Sequence, residues 1–360
     1  MKNIAFVGCG DISGIYLKNI TSVFKDLKII GVCDLIYERA EKAAKEYGIK
    51  TIYKDMHELF ADPQVDIVLN LTRPYEHYEV SIAALNAGKH LYTEKPLGAS
   101  YDEAKKIMIL AKGKNLYVGG APDTFLGAGL QTCRKLIDEG TIGEIFGASA
   151  YMVCRGHESW HPDPEFYYKY GGGPMLDMGP YYLTALVSLL GAVKTVTGMT
   201  KISLAERTIT SQPKNGTVIK VEVPTYVTGI MNFQNGAIGT IFTTFDVHTA
   251  QVPRIEIYGS EGTLCVPDPN FFDGPVCLFT SGSDGFDEKP LQFEYSENSR
   301  GLGLADMAKA IEENRSARAS GELLIHINEI MAGFHTSNDE KRFVEMQTTV
   351  ERPEPMENPK

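Results

Sequence analysis

Strand-like and helix-like patterns alternate through the first 120 residues, and that alternation leaves few folds open. NIAFV (3–7) is a short apolar run, and a helix-like stretch follows over about 12–25. LKIIGVCD (27–34) reads as a second strand closing on Asp34, and YERAEKAAKEYG (37–48) as a helix ending at Gly48. VDIVLNL (65–71) has the unbroken apolar pattern of a strand buried on both faces. Helix (76–89), strand (90–96), helix (100–115) and strand (116–122) follow, with Ser100 and Glu103 at the spacing of a capping box. Such alternation predicts a parallel sheet wound by helices on both faces.

The pattern then changes. After one more helix the runs show period-2 alternation, punctuated by turns such as Gln234-Asn235-Gly236 and Ser260-Glu261-Gly262. Residues 301–314 and 320–336 read as late helices. At 360 residues the chain is too long for one ordinary core. The predicted fold class is therefore α/β. A Rossmann doubly wound parallel sheet occupies 1–122, and an α+β domain with a large, mostly antiparallel open sheet occupies 123–360.

Net charge is −11, which repels phosphates and argues against nucleic acid or an anionic membrane as partner. No apolar run approaches the roughly 20 residues of a bilayer span. The opening MKNIAFVGCG lacks the apolar region of a signal peptide. Six cysteines without CxxC pairs suit free thiols in a reducing cytoplasm, not a disulfide framework or a zinc knuckle. The localisation expected is cytoplasmic.

VGCGDIS places Gly8 and Gly10, with Asp11 and Ile12, between the first strand and its helix. A glycine pair there lets backbone amides approach a pyrophosphate at a helix N-terminus. The third small position is Ser13 rather than glycine. Asp34 ends the second strand, where a carboxylate can accept ribose hydroxyls and repel a 2′-phosphate. NAD is favoured over NADP, and Arg39 is placed well inside the following helix.

TRPYEHYEVSIAALNAGKHLYTEKPLGAS (72–100) resembles the glucose–fructose oxidoreductase / inositol dehydrogenase family, often written Gfo/Idh/MocA. The resemblance runs on through EGTIGEIFGASA, GGGPMLDMGPYY, IYGSEGTL and HINEIMAGFHTS. It implies that Lys95 of Glu94-Lys95-Pro96 sits beside nicotinamide and substrate, and that Thr72, Arg73, Pro74 and His77 serve the cofactor side. Two departures stand out. Family members commonly carry Asn-x-Arg after the fifth strand, where this chain has Pro122-Asp123-Thr124. They also commonly carry an Asp with a His four residues later, where this chain has Asp177 and Tyr181; some branches of the family share that tyrosine.

At helical spacing Asp177 and Tyr181 would share one face, but Pro180 must kink the helix or mark its true start. Oxidising a secondary alcohol needs an acceptor for hydride and one for the hydroxyl proton. Tyr181 is the candidate acid/base, Lys95 its electrostatic partner and Asp177 the positioning residue. The preceding loop supplies Arg155, His157, Trp160 and His161, groups that hold sugars by hydrogen bonds and an aromatic face. His157 and His161 lack an evident third ligand, so no metal is expected. His326, in a late helix, reads as structural.

The function expected is an NAD-dependent oxidoreductase acting on a sugar, polyol or cyclitol. Two other readings stand beside it: a glycoside hydrolase that retains its NAD, and a non-enzymatic dinucleotide or sugar sensor. The open face of the second sheet needs cover, and the resemblance implies pairing through it, as a homodimer or homotetramer.

Overall fold

In the computed structural model, which describes residues 1–357, the chain forms two compact units. The first is Met1–Asp123 with Asn298–Ile325; the second is Thr124–Glu297 with the chain from His326 onward. The segment 298–325, read from sequence as part of the second domain, thus belongs to the first.

The first unit holds strands β1 (Lys2–Val7), β2 (Leu27–Cys33), β3 (Thr51–Ile52), β4 (Ile67–Asn70), β5 (His90–Thr93) and β6 (Val118–Gly120). They form one parallel sheet in the order β3-β2-β1-β4-β5-β6. Helices α1 (Ser13–Ser22), α2 (Tyr37–Tyr47), α3 (Met56–Ala61), α4 (His77–Asn86) and α5 (Tyr101–Gly113) connect the strands. The order reverses between β1 and β4, the switch point where such sheets bind ligands at their carboxyl ends. Ile67 to Asn70 are fully buried, as expected of a strand covered on both faces. The Ser100 hydroxyl accepts from the Glu103 N–H at 3.3 Å and caps α5.

The second unit contains α6 (Ala128–Asp138), β7 (Ile145–Val153), α7 (Pro174–Asp177), α8 (Gly179–Leu190), β8 (Val193–Lys201), and a two-stranded ribbon of β9 (Glu206–Thr208) and β10 (Val218–Lys220). Then come β11 (Tyr226–Phe233), β12 (Ile238–Thr244), β13 (Ile255–Gly259), β14 (Gly262–Val266), β15 (Val276–Thr280) and β16 (Asp287–Lys289). Helix α9 (Leu302–Glu313) lies in the first unit; α10 (Gly321–Glu340) and β17 (Val344–Glu345) complete the chain. Nine strands form one sheet, β16-β15-β14-β13-β7-β12-β11-β8-β17, antiparallel except for the β7–β12 pair. β11 alternates strictly: Val227, Met231 and Phe233 are buried, Thr228, Ile230 and Asn232 exposed. Met199 and Ile238, beside them in register, are also exposed, so this face of the sheet is open and partly apolar.

Helix α8 is buried along its whole length, a helix apolar all round. His326 is buried in α10, where Nε2 accepts the Val193 N–H at 3.0 Å and Nδ1 meets the Thr348 hydroxyl at 2.9 Å. The structural reading of this histidine holds. All six cysteines are free thiols. No helix among the described residues is long and apolar enough to cross a membrane.

Candidate active site

The dinucleotide end of the first unit is built at the tip of β1. Gly8 adopts φ +99°, and a Cβ there would lie 2.8 Å from the Leu71 carbonyl oxygen, so only glycine fits. Gly10 has open space where a side chain would stand. Asp11 is exposed and Ile12 occupies the N-cap of α1, which has no side-chain cap. Ser13 donates its N–H to the Gly10 carbonyl at 3.0 Å, and no N-cap side chain takes up the other N–H groups of the first turn. Glycine turn and uncapped helix start together fit a dinucleotide pyrophosphate.

Asp34 accepts from the Cys9 N–H through Oδ2 and from the Ile36 N–H through Oδ1, both at 2.7 Å. It therefore ties the glycine turn to the β2–α2 turn. Each oxygen keeps a further lone pair for a ribose hydroxyl. Arg39 lies in the first turn of α2 rather than well inside it, and its charge reaches the Cys9 thiol. Burial nevertheless pushes that thiol up to about 12.

The ends of β4 and β5 are joined by a network that sequence reading only partly anticipated. Asn70, not singled out, accepts from the Thr72 hydroxyl at 2.7 Å and donates to the His77 carbonyl at 3.2 Å. His77 is fully buried, with Nδ1 2.6 Å from the Pro96 carbonyl and Nε2 3.0 Å from the Thr72 carbonyl. Burial lowers its pKa. The ring braces two turns of the cofactor side and offers no surface of its own to a ligand. Arg73 is exposed and Pro74 half-buried between them. Glu94 is buried: Oε1 accepts from the Tyr16 hydroxyl at 2.8 Å and Oε2 from the Lys95 N–H at 3.0 Å. Its carboxylate fixes the main chain at Lys95, whose side chain remains partly exposed. The Lys95–Pro96 peptide is cis.

In the second unit, the 154–173 segment leaves β7 and enters α7 through glycines. Gly173, at φ +88°, has the Pro224 carbonyl oxygen 2.9 Å from where a Cβ would stand. Helix α7 ends at Asp177 and α8 begins at Gly179. The break falls where Pro180, lacking an N–H, cannot bond to the Leu176 carbonyl. Asp177 and Tyr181 therefore lie on two short segments joined at Met178, not on one continuous helix. Tyr181 is buried, and its N–H donates to the Met178 carbonyl at 3.1 Å.

The structure brings His157 and Asp177 together: Nε2 lies 3.5 Å from Oδ2, with both side chains largely buried. His157 stacks on Tyr167, with centroids 3.8 Å apart and planes 14° apart, and meets Phe245 edge-on at 4.6 Å. Trp160 is 61% exposed, 5.3 Å from the His157 ring. His161 accepts the Asp163 N–H through Nδ1 at 3.0 Å and packs edge-on against Tyr167. Arg155 stands apart from this group, exposed and in contact with His248.

Sequence reasoning missed what holds this loop. Buried Arg207, in β9, donates to the Arg155 carbonyl at 3.0 Å and to Glu158 at 2.6 Å, pairs with Asp246, and lies over the Tyr168 ring. The Tyr168 hydroxyl closes on Glu158. Thr210 donates its N–H to the Glu158 carbonyl at 2.8 Å, and Lys214 bridges Asp163 and Glu165 at 2.7 and 2.8 Å. Nothing in the sequence pattern marks Arg207, because its partners lie 38 to 52 positions away.

Two family profiles match these two regions. Residues 2–120 match the oxidoreductase family's NAD-binding Rossmann fold, and residues 130–265 match the GFO/IDH/MocA C-terminal domain. The chain belongs to the GFO/IDH/MocA family. The resemblance read from residues 72–100 is thus borne out, and the first unit is the family's NAD-binding domain. Among relatives, levoglucosan dehydrogenase of Pseudarthrobacter phenanthrenivorans is 27% identical over 63% of this chain and 62% of its own length. Myo-inositol 2-dehydrogenase of Thermotoga maritima is 24% identical over 72% of this chain and 74% of its own. This chain spans somewhat under two thirds of the first of these relatives. Among solved structures, a levoglucosan dehydrogenase in complex with NADH and L-sorbose superposes with TM-score 0.82 at 22% identity, over 97% of this chain and 99% of that one. That likeness covers both sheets and confirms the fold.

Proposed function

We propose that this member of the family is an NAD-dependent oxidoreductase acting on a secondary alcohol, or the matching carbonyl, of a sugar, polyol or cyclitol. The observation that carries the reading is Glu94-Lys95-Pro96 closing β5 of the family's NAD-binding sheet, with Glu94 holding the Lys95 backbone. The dehydrogenases among its relatives, named for levoglucosan and myo-inositol, support the substrate class. NAD, when bound, takes up or returns the hydride. Tyr181 accepts the hydroxyl proton in the oxidising direction and gives it back in the other. A phenol titrates near 10 unperturbed, and the Lys95 ammonium would favour its ionised form. Asp177 orients Lys95 or grips a substrate hydroxyl; Arg155, His157, Trp160 and His161 hold the rest of the substrate. A homodimer or homotetramer formed through the open sheet face accompanies this reading.

Purified protein mixed with NAD and a panel of aldoses, polyols and inositols tests it through nicotinamide absorbance. NADH formation with one class supports the oxidoreductase and names its substrate family. Silence across the panel, with NAD retained in the protein as isolated, points instead to a hydrolase or oxidoreductase that keeps its NAD bound and regenerates it within each cycle.

A further inference from the structure

We infer that His157 is the positioning partner of Asp177, holding that carboxylate in one orientation through Nε2. The inference rests on the proposed reading that Asp177 works in turnover. It starts from a departure and a distance. The residue four positions after the aspartate is tyrosine, not histidine, yet an imidazole still reaches Asp177, from the preceding loop, at 3.5 Å. A largely buried carboxylate needs a donor or a positive charge beside it.

The ring is fixed on several sides. Tyr167 lies flat against it and Phe245 meets it edge-on. The His157 main-chain N–H donates to the Tyr168 hydroxyl at 3.2 Å, and that hydroxyl is held by Glu158, which Arg207 pins. The loop therefore presents Nε2 to Asp177 in one pose. The other charged groups nearby are engaged elsewhere: Glu158 and Asp246 both pair with Arg207. Cys154 stays a thiol, its pKa pushed up to about 11 by burial, and His161 packs against the edge of Tyr167. Asp177 is the carboxylate that the His157 ring itself faces.

Histidine side-chain NMR on the full-length protein reads the pairing without substrate. The His157 signal is identified by its loss in both His157→Phe and His157→Gln. Asp177→Asn should lower its titration midpoint by about one unit or more; an unmoved midpoint overturns the inference. With a sugar found active, His157→Gln keeps an N–H donor but loses the stacked ring, while His157→Phe keeps the stacking and loses the donor. Turnover should survive better in His157→Gln, with roughly tenfold or more lost in His157→Phe and the KM for NAD unchanged. The opposite order makes the ring a packing element and overturns the inference. If the midpoint moves but Asp177→Asn leaves turnover intact, the pairing stands and the proposed role of Asp177 in turnover falls.

Discussion

Asp123 is fully buried, accepting from the main-chain N–H groups of Gly301 at 2.8 Å and Gly303 at 3.0 Å, and burial raises its pKa to about 6. An unfolded aspartate titrates near 3.9. Between about pH 4 and 6 the folded chain holds a proton that the unfolded chain has released. Stability should therefore fall as pH rises through that window, by on the order of 3 kcal/mol from this group. His326 works in the opposite sense. Burial lowers its pKa to about 4, so its contribution is present above the ordinary histidine range near 6.5 and lost as pH falls toward 4. Denaturant melts across pH 4–7 should show the falling slope removed in Asp123→Asn and the rising one removed in His326→Gln. Tyr181→Phe belongs to the same scale: turnover should drop by roughly 10²–10⁴-fold with NAD affinity near normal, and unchanged turnover would remove tyrosine from the mechanism. Asp123 was visible in the sequence as a departure after the fifth strand. Its use was not, because the N–H groups it caps lie 178 and 180 positions later.

At the scale of elements, legibility followed length and periodicity. The strands and helices that flank the glycine turn and Glu94-Lys95-Pro96 were readable because each carries a full apolar pattern and an end signal, as Gly48 does for α2 in its left-handed C-cap. Helix α3 went unread although Asp55 accepts from the His57 and Glu58 N–H groups at 2.9 Å. At six residues it is too short for helical periodicity to register. The parallel β7–β12 pairing was equally silent, since a strand's own alternation does not name its neighbour. The β9–β10 ribbon makes a sharper case, because its grip on the 154–173 loop includes one buried cation. Removing a single member of a buried ion-pair group leaves its partners uncompensated, so Arg207→Met should cost about 3–5 kcal/mol in urea unfolding. Lys214→Met, on a pair whose side chains are each about a third exposed, should cost under about 1 kcal/mol. Equal costs would mean that the ribbon is held by its main-chain bonds alone.

For the whole molecule, the two-part plan was readable from the change of periodicity near residue 122, but the closing of the first unit was not. Residues 298–325 return to it. Asn19 donates to the carbonyls of Asn298 and Arg300 at 2.8 Å, Ser320 bridges to Gly119, and Leu324 and Ile325 join Leu85, Leu97, Ile107 and Val118 in one core cluster. A fragment of residues 1–123 alone should therefore lack cooperative unfolding and expose apolar surface to a dye such as ANS. A sharp thermal transition in that fragment would show that the returning segment is dispensable.

That return also sets a timetable. Synthesis runs from the N-terminus at about 5–20 residues per second. Some 175 residues separate Asp123 from Asn298, so the sheet that carries the glycine turn waits about 9–35 seconds on the ribosome for the segment that completes it. The second unit's long sheet can begin to form in that interval. The nascent chain thus carries an unfinished apolar surface through half of its own translation, the span over which a chaperone has most reason to hold it.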